Sequence, residues 1–190
     1  MSVNTAVSEY LEKLRGLGWL GAEKINPGIE QYKVKQRFQE ISISPPMEAI
    51  DFWCLMNGII DGDFTLDQMQ IFPGYYPLSL REAIDAYLDR ASDPEIWPDY
   101  LFPFLADGIG NFLSFDVRSF QHNKCSVHDQ QAGFFPACLY SSIENFFLTA
   151  AAAIDKQIIF IEGSYLEISD EKYQELAAKM NPGLDFWMSP

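Results

Sequence analysis

The stretch Trp97 to Asp116, WPDYLFPFLADGIGNFLSFD, decides the fold. Two apolar runs, Leu101 to Phe104 and Asn111 to Val117, flank a short polar and glycine-rich segment. In the second run Phe112 and Ser114 alternate against Leu113 and Phe115, the period-two pattern of a strand. Between the runs, Ala106-Asp107-Gly108-Ile109-Gly110-Asn111 predicts a tight hairpin-like turn. Gly108 or Gly110 supplies a positive φ there, and the Asp107 side chain bonds its own backbone. A phosphate-cradling loop is excluded, because the segment lacks a third glycine and a lysine and is followed by strand residues instead of a helix start.

Outward from this stretch the pattern mixes strands with helices. Val3, Val7, Tyr10, Leu11, Leu14 and Leu17 recur at steps of three and four and predict an opening amphipathic helix. A weaker helix carries Ile29, Tyr32 and Phe38 and ends before Pro45-Pro46. A third runs from Met47 to Met56 with Pro46 in the first turn and Asn57-Gly58 as a left-handed stop. Further strand-like pieces are Ile59-Ile60, Met69 to Phe72, Lys124 to His128 and Ile158 to Ile161. Leu80 to Leu88, Ser141 to Ile154 and Ser169 to Met180 are helical in spacing. The expectation is one α+β domain over residues 1–190, a mainly antiparallel sheet flanked by helices.

The net charge of −14 disfavours nucleic acid and anionic membrane as partners and favours basic proteins. It is unevenly spread. Residues 45–117 carry thirteen acids against two bases, whereas residues 1–44 carry five acids against six bases. No stretch is long and apolar enough to span a bilayer, and the start mixes Glu and Lys into its apolar positions, so a cytoplasmic protein is expected. Cys54, Cys125 and Cys138 have no short paired spacing, which reads as buried thiols in a reducing compartment.

Two segments, PMEAIDFWCLMNG at Pro46 to Gly58 and WPDYLFPFLADGIGNFLSFD at Trp97 to Asp116, together resemble the SUKH superfamily. Pro46 to Gly58 is similar to that family's helix that follows a proline and ends in Asn-Gly. Trp97 to Asp116 is similar to its central signature: a Pro-Phe strand, an Ala-Asp-Gly turn, and a Gly-x-x-hydrophobic strand ending in Asp. Val127 and the later run Ser141-Ser142-Ile143-Glu144-Asn145-Phe146-Phe147 resemble the family's later strand and closing helix. The likeness spans about residues 25–155; the N-terminal helix and the tail after Asp155 lie outside it, and Asn111 stands where the family often has an acid. The resemblance implies a binding domain. In bacteria such domains act mainly as immunity partners of a delivered toxin, and in fungi as cell-wall regulators that scaffold signalling proteins.

The expected partner is thus a cognate toxin protein, such as a basic nuclease, with no enzyme activity and no cofactor in the chain itself. Candidate contact residues are Asp61, Asp63, Asp67, Asp99 and Asp107, in or near the most acidic segment. Asp61-Gly62-Asp63-Phe64-Thr65-Leu66-Asp67 fails as a calcium loop, with Leu66 where glycine is needed and Phe72 where a bidentate Glu should stand. His122, Cys125 and His128 would be the basis of a zinc or Cys-His site in a rival reading, though their spacing matches no common knuckle and adjacent strand residues point to opposite faces. Trp97 to Tyr100 could display a stacking platform or belong to the core. Asp93 and Glu95 read as surface acids.

Overall fold

A computed structural model describes residues 2–90, 97–118, 124–131 and 133–188. Helix α1 (Val3–Gly16) forms as its spacing predicts: Val3, Val7, Tyr10, Leu11 and Leu14 are buried, and the Thr5 amide donates to the capping Ser2 hydroxyl. Leu17 falls beyond the helix and stays partly exposed. A 3-10 turn and β1 (Ile25–Pro27) lead into α2 (Gln31–Glu40), which buries Val34 and Phe38 but leaves Tyr32 outside. Next comes α3 (Met47–Leu55), with Pro46 at the N-cap, one position before the first turn.

Two segments differ from what their sequence predicts. Asn57-Gly58 does not stop α3; it lies inside β2 (Met56–Ile59), which pairs antiparallel with β1. Gly58 is nonetheless left-handed, and a Cβ there would stand 2.7 Å from the Ser79 amide nitrogen. The Asn57 side chain instead accepts from the Leu80 amide at the start of a later helix. Met69 to Phe72 is not a strand. Thr65 and Gln68 form a reciprocal capping box that winds Leu66–Met69 into the single turn α4, and Phe72 makes only an isolated bridge with Tyr75.

The chain continues through β3 (Tyr76–Pro77), α5 (Leu80–Arg90), β4 (Leu101–Ala106), β5 (Phe112–Asp116), β6 (Val127–Gln130) and β7 (Ala137–Tyr140). Then follow α6 (Ile143–Asp155), the hairpin β8 (Ile159–Glu162) and β9 (Tyr165–Ile168), α7 (Asp170–Met180) and α8 (Asp185–Met188). Strands β3 to β7 form one antiparallel sheet in sequence order. The β4–β5 register shifts beside Pro103, which has no N–H to give to a ladder.

One face of this sheet carries the core. Trp53 of α3 meets Phe102 at 5.8 Å and Phe115 at 6.0 Å, while Phe104 meets Phe52 of α3 at 5.3 Å and Phe146 of α6 at 6.1 Å. Most of these rings meet edge to face, the arrangement their quadrupoles favour. Helix α1 lies along α6, where buried Ala150, Ala151 and Ala153 permit close approach. Helix α7 packs on the same helix. The architecture is α+β, a mainly antiparallel sheet flanked by helices. Among the described residues, no helix is long and apolar enough to cross a membrane.

Candidate functional site at the hairpin end of the sheet

Strand register gathers three separate segments at one end of the sheet. Phe112 pairs with Gln130 and Tyr76 with Ala106, so the β4–β5 turn, the β6–β7 loop and the start of β3 all lie there. Asp107 builds the first turn. Its Oδ1 accepts from the amides of Ile109, Gly110 and Asn111 at 2.9, 3.1 and 3.0 Å, and its Oδ2 accepts from the Asn111 side chain at 2.6 Å. Gly108 and Gly110 both take positive φ, 84° and 110°. A Cβ on Gly108 would fall 2.7 Å from Leu66 Cδ1, so glycine is what lets α4 rest on the turn.

The turn leaves the Ile109 side chain 85% exposed. In the β6–β7 loop, Phe134 and Phe135 are 70% and 99% exposed. These are the three most exposed large apolar side chains among the described residues, and they share one end of the sheet. Scattered exposed apolar residues are ordinary, whereas several gathered at one end of the sheet make that end a candidate site.

The five candidate aspartates do not form one patch. Asp67 follows Leu66 in α4, and Leu66 rests against Gly108 of the turn that Asp107 builds. Asp61 and Asp63 stand in the exposed bend that precedes α4. Asp99 precedes Leu101 and therefore lies at the opposite end of β4, about 20 Å away by strand rise. Asp107 itself is only partly exposed, and its carboxylate is engaged by the turn. A carboxylate absent from the sequence-based candidates, Asp129 of β6, also stands near this end. Burial holds its carboxyl above the usual range and the charge of Asp107 adds to that, against hydrogen bonds from Gln131 and Tyr75.

Ile109, Phe134 and Phe135 were invisible to sequence reasoning because exposed and buried aromatics read alike in a chain with 15% aromatic residues. The bracketing of Phe134-Phe135 by Gly133 and Pro136 was the available signal, since it marks a loop too short to hide two rings.

Cys125 and His128, the described residues of the rival chemical reading, make different contacts. The Cys125 backbone N–H donates to Glu48 at 3.0 Å and its thiol lies 3.7 Å from the same carboxylate, in the interior. His128 instead meets Ser126 at 3.0 Å through Nε2 and pairs across the sheet with Ser114 and Cys138. Burial pushes all three thiols up, Cys125 most, away from thiolate character. Burial also lowers the His128 pKa, opposed by the nearby Asp116 charge. Asp116 is forked by Arg118 at 3.1 and 2.9 Å, and that guanidinium lies over the Tyr100 ring. Cys54 and Cys138 are only half-buried, not the fully buried thiols expected. Among the described residues, no group of three His, Cys, Asp or Glu side chains is placed to hold a metal. His122, Asp93 and Glu95 lie outside the described residues. Trp97 is buried beneath the Arg90 guanidinium, 4.0 Å from its ring centre, and so belongs to the packing and not to a stacking platform.

No protein-family model matches this chain, and no curated protein matches it either.

Proposed function

We propose that this chain is a binding protein that docks another protein on the hairpin end of its sheet. Ile109, Phe134 and Phe135 act as apolar anchors, and Asp67 with its acidic surround steers a basic partner onto them. The observation that carries this reading is the gathering, at one sheet end, of the three most exposed large apolar side chains among the described residues. Desolvating such anchors supplies most of an interface's energy, while exposed carboxylates act on encounter. Joined to the SUKH resemblance, the reading becomes an immunity protein that neutralises a cognate toxin, a basic nuclease being the type that fits a −14 chain. It requires no cofactor and no chemistry from the chain.

A scaffold role that recruits partners through the N-terminal helix and the C-terminal tail is less favoured, because α1 and α7 are both spent on packing against α6. The test is capture from lysate of the source cells with immobilised protein, at two salt concentrations, beside the triple variant Ile109→Ser, Phe134→Ser, Phe135→Ser. One stoichiometric basic partner should bind the parent chain, with its Kd raised on the order of 100-fold by the triple variant. Thermal stability should be unchanged, since these side chains pack little. Several weak partners indifferent to the triple variant would move the assignment to a scaffold, and a partner that ignores it would remove this surface.

A further inference from the structure

Beside the hairpin end a cleft of about 390 Å³ opens between β6, β7, α7 and α8. Small-ligand sites occupy about 300–1,000 Å³. Its walls are aromatic: Tyr173 meets Phe72 at 5.8 Å and Trp187 at 6.0 Å, and Trp187 meets Tyr140 at 5.7 Å. The rings are fixed in place, with the hydroxyls of Tyr140 and Tyr173 2.8 Å apart and the Trp187 indole N–H donating to the Leu139 carbonyl. A wall held this way loses little freedom on binding.

Two carboxylates line the same cleft, Asp129 from β6 and Asp170 from the first turn of α7, and no lysine, arginine or histidine does. Asp129 stands opposite the buried Leu113, on the apolar side of the sheet, where a charge is costly. Its hydrogen bonds come from neutral groups, the Tyr75 hydroxyl at 3.2 Å and the Gln131 amide at 2.6 Å. Among the described residues, no cation pairs with it. Aromatic faces carry negative potential, so a ligand with an apolar body and a positive charge gains from walls and carboxylates together. An anion would be repelled by both.

We propose that this cleft binds an organic cation, an alkylammonium or alkylguanidinium group, between its aromatic walls and the Asp129 and Asp170 carboxylates. The raised pKa of Asp129 agrees with this, because a bound cation would restore the charged form that burial disfavours. The occupant is a free amine or guanidine, or the Lys or Arg side chain of a docked protein; the binding chemistry is the same, and the site stands whether or not the hairpin end docks a partner.

Calorimetric titration of the purified chain with choline, with its neutral carbon isostere dimethylbutanol, and with butylguanidinium tests the site. Both cations should bind, with the isostere at least about tenfold weaker. Asp129→Asn should weaken the cations about tenfold and leave the isostere unchanged. Asp170→Asn, at an exposed position, supplies an independent second comparison. A capped Gly-Arg-Gly peptide that binds more tightly than butylguanidinium assigns the cation to a protein side chain, and one that binds more weakly assigns it to a free ligand. No heat from either cation at tens of millimolar, equal binding of the isostere, or indifference to both substitutions would overturn the proposal.

Discussion

Asp107 shows how much one side chain can fix. Its two oxygens accept four hydrogen bonds within the β4–β5 turn, three of them from backbone amides that the strands leave unpaired. Asp107→Ala should therefore cost about 2–3 kcal/mol in urea unfolding, whereas Asp107→Asn, which keeps one carbonyl oxygen, should cost about 1 kcal/mol. Asp129 has the opposite sign. Its carboxyl titrates higher in the folded chain than in the unfolded one, so the folded state retains a proton through that interval. Stability contributed by this group falls as pH rises from the ordinary carboxylate range through the raised value, and stays low above it. Asp129→Asn should accordingly raise the melting temperature at pH 7 and match the parent near pH 3, measured by thermal unfolding across that range. The role of Asp107 was legible because an Asx turn is local. The position of Asp129 was not, because only pairing with β5 sets it opposite Leu113.

Among the elements, α6 depends on a residue almost a hundred positions away. Its Ser142 cap accepts from the Asn145 amide at 2.9 Å. Buried Glu48 of α3 accepts from the Ile143 and Glu144 amides at 3.3 and 3.5 Å, and from Cys125 at 3.0 Å. The orphan amides of a helix start and a negative charge suit one another. Glu48→Ala would leave these donors buried without an acceptor and should cost about 3 kcal/mol, with Glu48→Gln near half of that, by denaturant unfolding. In PMEAIDFWCLMNG this glutamate reads as an ordinary first-turn acid of its own helix. Helices α1, α5, α6 and α7 were readable from their spacing, although Leu88 of α5 stays exposed where the periodic pattern placed it inward. Strands β1, β3, β7 and β9 were not, being two to four residues long and defined only by their partners.

For the molecule as a whole, charge and apolar anchors are separate devices. Asp61 and Asp63 are exposed and Asp67 is partly so, on the loop that leads to the hairpin end, where they would act over a Debye length and not through contact. Converting all three to Asn should lower the association rate with a basic partner about three- to tenfold at low salt and flatten its salt dependence, with dissociation nearly unchanged, measured by surface plasmon resonance. An unchanged association rate would remove this loop from the docking face.

By itself the sequence determined the α+β class, the four long helices, the central hairpin and its Asp107 turn, because each follows from local periodicity or from backbone demands within a few residues. The acidic middle third was equally plain from composition. Tertiary structure alone decided which aspartates are neighbours, that Asp99 sits apart from Asp107, that Glu48 caps α6, and that Ile109, Phe134 and Phe135 share one end of the sheet. Those relations are set by strand register and helix packing between residues far apart in the chain, and no local pattern encodes which face a distant partner will cover.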